Sequence, residues 1–163
     1  MKQKLNDKEA ETIVKLFLEY IGENTNREGL KDTPKRVVKM WKEIFRGYDE
    51  NQLPVVTTFN NGTDGFIYDD MITDSAIFYS HCEHHTAVFT GKYFFAYIPH
   101  KKGKILGLSK VARVVDYFSA RLQIQERLVH QIIEYLYKEL SKNTKYKRIG
   151  MALCMEGTHF CKS

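Results

Sequence analysis

Two runs rich in β-branched and aromatic residues, SAIFYS (75–80) and VFTGKYFFAYIP (88–99), flank a short polar stretch, HCEHHTA (81–87). Side chains of this kind suit a pleated, half-buried surface, and the short connection between the runs predicts an antiparallel hairpin. The periodicity then changes. In SKVARVVDYFSARLQ (109–123), Val111, Val114, Val115 and Phe118 recur at helical spacing, as do Leu128, Ile132, Tyr135 and Leu136 in QERLVHQIIEYLYKEL (125–140). After the polar loop SKNTKYK comes RIGMALCME (148–156), which alternates as a strand with Ile149, Met151, Leu153 and Met155 on one face and Cys154 read as core. Strand pair, helix pair and strand predict an α+β fold, an antiparallel sheet with paired helices on one face. The last strand has no clear partner in this reading.

Upstream, two helices are expected. Asn6 can cap the first, with Asp7 and Glu9 in its opening turn, and Ile13, Leu16, Phe17, Tyr20 and Ile21 fall on one face. In DTPKRVVKMWKEIFRGY (32–48), Thr33 is the expected N-cap, Pro34 takes the first helical position and Gly47 ends the element. Val37, Val38, Trp41, Ile44 and Phe45 form its apolar face, with Trp41 as a core anchor. Residues 48–71 read as irregular and contain the turn cluster NNGTDG, and HKKGK (100–104) reads as an exposed turn. The expected organisation is an N-terminal helical segment over 1–50 and a second domain over 51–163.

Composition narrows the function classes. At 163 residues, 43% hydrophobic and 28% charged, the chain has the balance of a compact soluble domain. Its net charge of +5 suits an anionic partner, either nucleic acid or a phosphorylated small molecule. Three cysteines, an odd and sparse count, argue against a secreted disulfide scaffold. The polar start MKQKLNDKEAET has no apolar signal core, and no apolar run approaches the ~18 residues of a membrane span, so the expected location is the cytoplasm, with no membrane partner.

Two constellations carry chemistry. Cys82 and His85 form a C-x-x-H pair, and His159 with Cys161 forms H-x-C near the other end. Thiolate and imidazole suit zinc. Convergence of Cys82, His85 and Cys161 would give three ligands and an open fourth position, the arrangement of a catalytic ion. A closed structural site using His84 or His159, or two unrelated buried cysteines, also satisfies the spacing. His84 and His159 are left over from a three-ligand set and are suited to proton transfer near neutral pH, or to supporting the ligands. The second constellation is GLSKVARVV (107–115). Ser109, Lys110 and Arg113 open a helix, where a bound phosphate would satisfy both the basic side chains and the helix dipole; a solvated basic face is the plainer alternative. Glu126 reads from position alone as an N-terminal helix acid, and a buried carboxylate there can accept two N–H donors from a guanine edge.

Taken together, GLKDTPKRVVKMWKEIFRGY, FYSHCEHHTAVFTGKYFFAYIP, GLSKVARVVDYFSARLQIQERL and EGTHFC resemble the GTP cyclohydrolase I family, in family order and over most of residues 29–161. The resemblance implies a T-fold enzyme that uses Zn²⁺ to convert GTP and water to 7,8-dihydroneopterin triphosphate and formate. It implies Cys82, His85 and Cys161 as metal ligands and His84 and His159 as proton-transfer residues. It also implies Glu126 and Gln125 as contacts to the guanine end, and Ser109, Lys110 and Arg113 as triphosphate and ribose contacts. A homodecamer of two pentamers with shared active sites is implied as well, and triphosphate accounts for the basic residues better than nucleic acid does. Val88 stands where the family commonly has Pro, a change expected to alter loop stiffness. The family continues after H-x-C with a phosphate-binding Arg and a last strand. This sequence ends at Ser163, before both, and the expectation is that it records a truncated part of the chain.

Overall fold

The computed structural model describes residues 5–142, 144–146 and 149–162. Asn143, Lys147 and Arg148, which belong to the expected polar loop and last strand, lie outside the described residues. The architecture is mixed α+β, with four α-helices and two sheets among the described residues. The chain falls into two compact units, Met1–Arg46 and Gly47–Ser163.

The first unit is built on α1 (Asp7–Tyr20) and α2 (Thr33–Ile44). Asn6 closes a capping box with Glu9, satisfying two backbone donors that the first turn of α1 would otherwise leave open. The expected inward face of α1 is not the one used. Val14 and Leu18, four residues apart, pack with Val38 of α2, whereas Ile13, Leu16, Phe17, Tyr20 and Ile21 are exposed. One helical neighbour covers one narrow stripe, so the broader apolar arc of α1 remains uncovered by α2. Thr33 is the first helical residue of α2 rather than its cap. Its hydroxyl turns back to the Gly29 carbonyl, and Asp32 holds the N-cap position without a side-chain cap bond. Trp41 packs on this small core while staying only partly buried.

The second unit has a four-stranded sheet in the order β5-β2-β3-β6, from β2 (Ile72–Cys82), β3 (Val88–Ile98), β5 (Leu122–Gln123) and β6 (Gly150–His159). β2 and β3 form the expected hairpin. β6, which had no evident partner in the sequence, pairs antiparallel with β3 along its whole length, from Ile98↔Gly150 to Phe89↔His159. Alternation along β3 sends Phe89, Tyr93, Phe95 and Tyr97 into one core with Val111, Val114 and Phe118 of α3 (Ser109–Ser119) and Leu128, Ile132 and Leu136 of α4 (Gln125–Ser141). Two glycines permit close approach. At Gly91, facing Gly157 across the β3–β6 pair, an added Cβ would meet the Glu156 carbonyl oxygen at 1.7 Å.

Several local expectations change. The region read as irregular contains β1 (Thr58–Asn60), paired antiparallel with β4 (Lys104–Leu106), which begins inside the expected turn HKKGK. The helix expected over 109–123 stops at Ser119, and Leu122–Gln123 form β5, parallel to β2. Tertiary bonds override helix propensity there: the Gln123 amide donates to the Phe118 carbonyl (2.8 Å), and the Leu122 N–H donates to the Tyr48 hydroxyl (3.1 Å). Cys154 is exposed, on the opposite face from buried Met155. Among the described residues, no helix is long and apolar enough to cross a membrane.

Candidate active site

The polar turn between β2 and β3 is built tightly. Cys82 is the last residue of β2, not a loop residue, and it is 5% exposed. Its N–H donates to Ala87 O (2.8 Å), while its carbonyl accepts from Thr86 N–H (2.8 Å). Thr86 takes φ of 56°, a left-handed conformation uncommon for a β-branched residue. That reversal returns the chain to β3 within five residues and projects Glu83, His84 and His85 to the surface.

Register brings the other end of the chain alongside. Phe89 is the Cα partner of His159, and their rings stack at 4.5 Å with an interplanar angle of 1°. Phe160 N–H donates to Val88 O (3.1 Å), fixing the residue between His159 and Cys161. Ligand atoms of Cys82, His159 and Cys161 consequently lie within 4.8 Å of one another. Cys82 Sγ is 3.7 Å from His84 Nδ1, and the His84 and His85 rings meet edge to face at 6.3 Å. Burial pushes the Cys161 thiol up, and the neighbouring Cys82 thiol adds to the rise.

The first turn of α4 supplies the facing wall. The Gln125 amide donates to Met155 O (2.9 Å), which directs its Oε1 at His159 Nε2 (3.1 Å). Gly157 makes room for this, since a Cβ there would stand 2.6 Å from Gln125 Oε1. Together these elements border a cleft of ≈ 420 Å³. Of the residues singled out in the sequence, Cys82, His84, His85, Gln125, Glu126, His159 and Cys161 all line it. Ser109, Lys110 and Arg113 do not; they begin α3, whose N-cap position, Leu108, makes no side-chain cap bond. The cysteine–histidine cluster contains His159, while His85 lines the same cleft outside the cluster.

Sequence reasoning missed Gln123 and Arg127. Gln123 lines the cleft and is 1% exposed. Arg127 bonds to Gln123, to the Leu122 carbonyl and to Glu83. The available signal was a glutamine set between apolar Leu122 and Ile124, a position where an unpartnered amide would be costly.

Two thiols and an imidazole form a donor set that fits a soft or borderline divalent metal. In a tetrahedral zinc site the sulfurs stand roughly 3.8 Å apart, a spacing that falls within the 4.8 Å bounding this cluster. A cation would also relieve the neighbouring thiols by stabilising both thiolates.

Comparison with known proteins identifies the family. The sequence model of the family described as GTP cyclohydrolase I matches residues 10–163. The GTP cyclohydrolase 1 of Sulfurihydrogenibium sp. (strain YO3AOP1) is 47% identical over 158 residues, covering 96% of this chain and 76% of the relative. Those of Pelagibacter ubique (strain HTCC1062) and Sinorhizobium fredii (strain NBRC 101917 / NGR234) are each 43% identical, covering 98% and 94% of this chain and 74% and 71% of the relatives. With the match running through both the β2–β3 turn and the end of β6, the chain belongs to the GTP cyclohydrolase I family.

Proposed function

We propose that this enzyme uses Zn²⁺ to open the guanine ring of GTP at C8, giving formate and 7,8-dihydroneopterin triphosphate. The observation that carries the reading is the convergence of Cys82 and Cys161 with a histidine in a cleft that also holds Glu126. Cys82 and Cys161 would hold the ion, with His85 as third ligand by the family pattern. His159, which falls within the observed cluster, is assigned to proton transfer by the family pattern, with its Nε2 already bonded to Gln125. When bound, zinc supplies Lewis-acid activation and lowers the pKa of water toward ~7.

The protein's own groups do the rest. Glu126 accepts two N–H donors from the guanine edge and sets C8 toward the cysteines. Water adds at C8, and His84 delivers a proton to the imidazole ring as the C8–N9 bond opens. A second hydrolysis releases the carbon as formate. The ribose then opens, rearranges to a ketone and condenses with the freed amine, losing water, so that net one water is consumed. His159 is held for proton transfer by its stack on Phe89 and its bond to Gln125. Ser109, Lys110 and Arg113 bind the triphosphate and ribose at the uncapped start of α3.

We further assign a T-fold and a homodecamer of two pentamers with shared sites. One feature supports assembly: Ile77, Tyr79 and Phe94 are exposed on β2 and β3. Purified protein is incubated with Zn²⁺ and GTP, following pterin fluorescence and formate. Both products are expected in equal amounts. Stoichiometric zinc with neither product would make this a guanine-nucleotide-binding relative without turnover.

A further inference from the structure

Glu83 stands between Cys82 and His84, and its carboxylate pairs with Arg127 Nη2. The same guanidinium donates from Nε to Gln123 Oε1 (3.0 Å) and from Nη2 to the Leu122 carbonyl (3.0 Å). Gln123 is itself fixed, donating to Phe118 O (2.8 Å) and Gln131 Oε1 (2.9 Å). It is the Cα partner of Cys82 across β2 and β5, and its carbonyl accepts from Glu83 N–H (3.0 Å). One arginine therefore ties three pieces of chain together: the turn bearing Cys82 to His85, the short β5, and the first turn of α4 with Gln125 and Glu126.

We propose that Arg127 is a positioning residue that locks the 82–85 turn onto the start of α4, holding Cys82 and His84 in register with Glu126. Partly exposed ion pairs contribute little to stability, so the role lies in geometry. A planar fork of donors can serve three acceptors at fixed angles, which a lysine ammonium cannot reproduce. The consequence for metal affinity rests on the zinc reading above; the consequence for the turn does not.

The test compares full-length wild type with R127M, R127K, E83Q and the R127M/E83Q double variant. In metal-free protein, the alkylation rate of Cys82 by iodoacetamide, read by peptide mass spectrometry, reports whether the turn is held. It should rise about tenfold in R127M and by less in R127K. Zinc affinity by chelator competition should fall roughly tenfold in R127M, the lower end of what lost outer contacts cost. Turnover of GTP should drop in kcat with KM held, because Arg127 touches no substrate. The double variant should resemble R127M, since both changes cut one linkage. Wild-type alkylation rates in R127M, or fully additive effects in the double variant, overturn the proposal. Should R127M fail to fold, E83Q decides by the same alkylation readout. A wild type that retains no zinc would refute the metal site while leaving Cys82 alkylation to decide on the clamp.

Discussion

The two ends of the expected GTP site are built in different ways. The base end is assembled by long-range pairing: β3 brings residues 82–85 and 157–161 together, and α4 closes over them. The triphosphate end is local, a run of Ser109, Lys110 and Arg113 within one helical turn, and none of the three borders the cleft. The base end thus depends on strand register and small clearances. The other depends on charge at an uncapped helix start, which tolerates movement better.

The largest effects should fall on the base end and divide by role. Cys82→Ala should abolish both bound zinc and turnover, whereas His84→Ala should keep zinc and lose about 10²- to 10⁴-fold in kcat. Metal analysis beside single-turnover kinetics checks this, and equal zinc loss in both variants would erase the distinction. Gly157→Ala, which adds one methyl group, should displace the Gln125 amide from His159 and cost on the order of 10²-fold in kcat. An unchanged kcat would show that clearance matters less than argued. At the other end, Lys110→Ala should raise KM for GTP roughly tenfold while leaving kcat and zinc alone, the loss of one charge-assisted bond. A drop in kcat instead would join the two ends into one device.

The smallest effect calibrates the frame between them. Tyr93, 1% exposed, donates to Asp74 Oδ2 (2.8 Å), and burial followed by that bond raises its pKa above the ordinary 10.0. The unfolded chain ionises first, so this stabilisation is fully present below pH 10 and is lost as pH rises beyond it. Tyr93→Phe should cost about 1 kcal/mol at neutral pH and flatten the alkaline limb, as read from urea melts between pH 7 and 11. An unaltered alkaline limb would put the sensitivity elsewhere.

Much of this was legible in the sequence because its signals are long or chemically distinctive. The β2–β3 hairpin, α3 and α4 announce themselves by periodicity, and the cleft residues by type and spacing. The misses are short or two-sided. β5 is two residues long, too brief for any period, and exists because Gln123 bonds across to Phe118 and Gln131. β1 and β4 are three-residue strands that need each other. α1 carries apolar residues on two arcs, and pattern alone cannot say which meets α2. Residue type alone reads Cys154 as core, although the alternation that puts Met151, Leu153 and Met155 on one face puts Cys154 on the other, beside Glu156. Arg127 carries no mark in the sequence, because its acceptors arrive from two separate stretches of chain, the turn at Glu83 and the short β5.

The alternation of β6 acts as a reading frame. Met155, Gly157 and His159 share a parity, and each does something on the side it faces: filling the core, clearing Gln125, and reaching the cysteines. Deleting one residue upstream of them would turn all three to the opposite face at once, while inserting two would keep the face but slide it by about 6.6 Å. Over this stretch the gene can vary in letters but not in length.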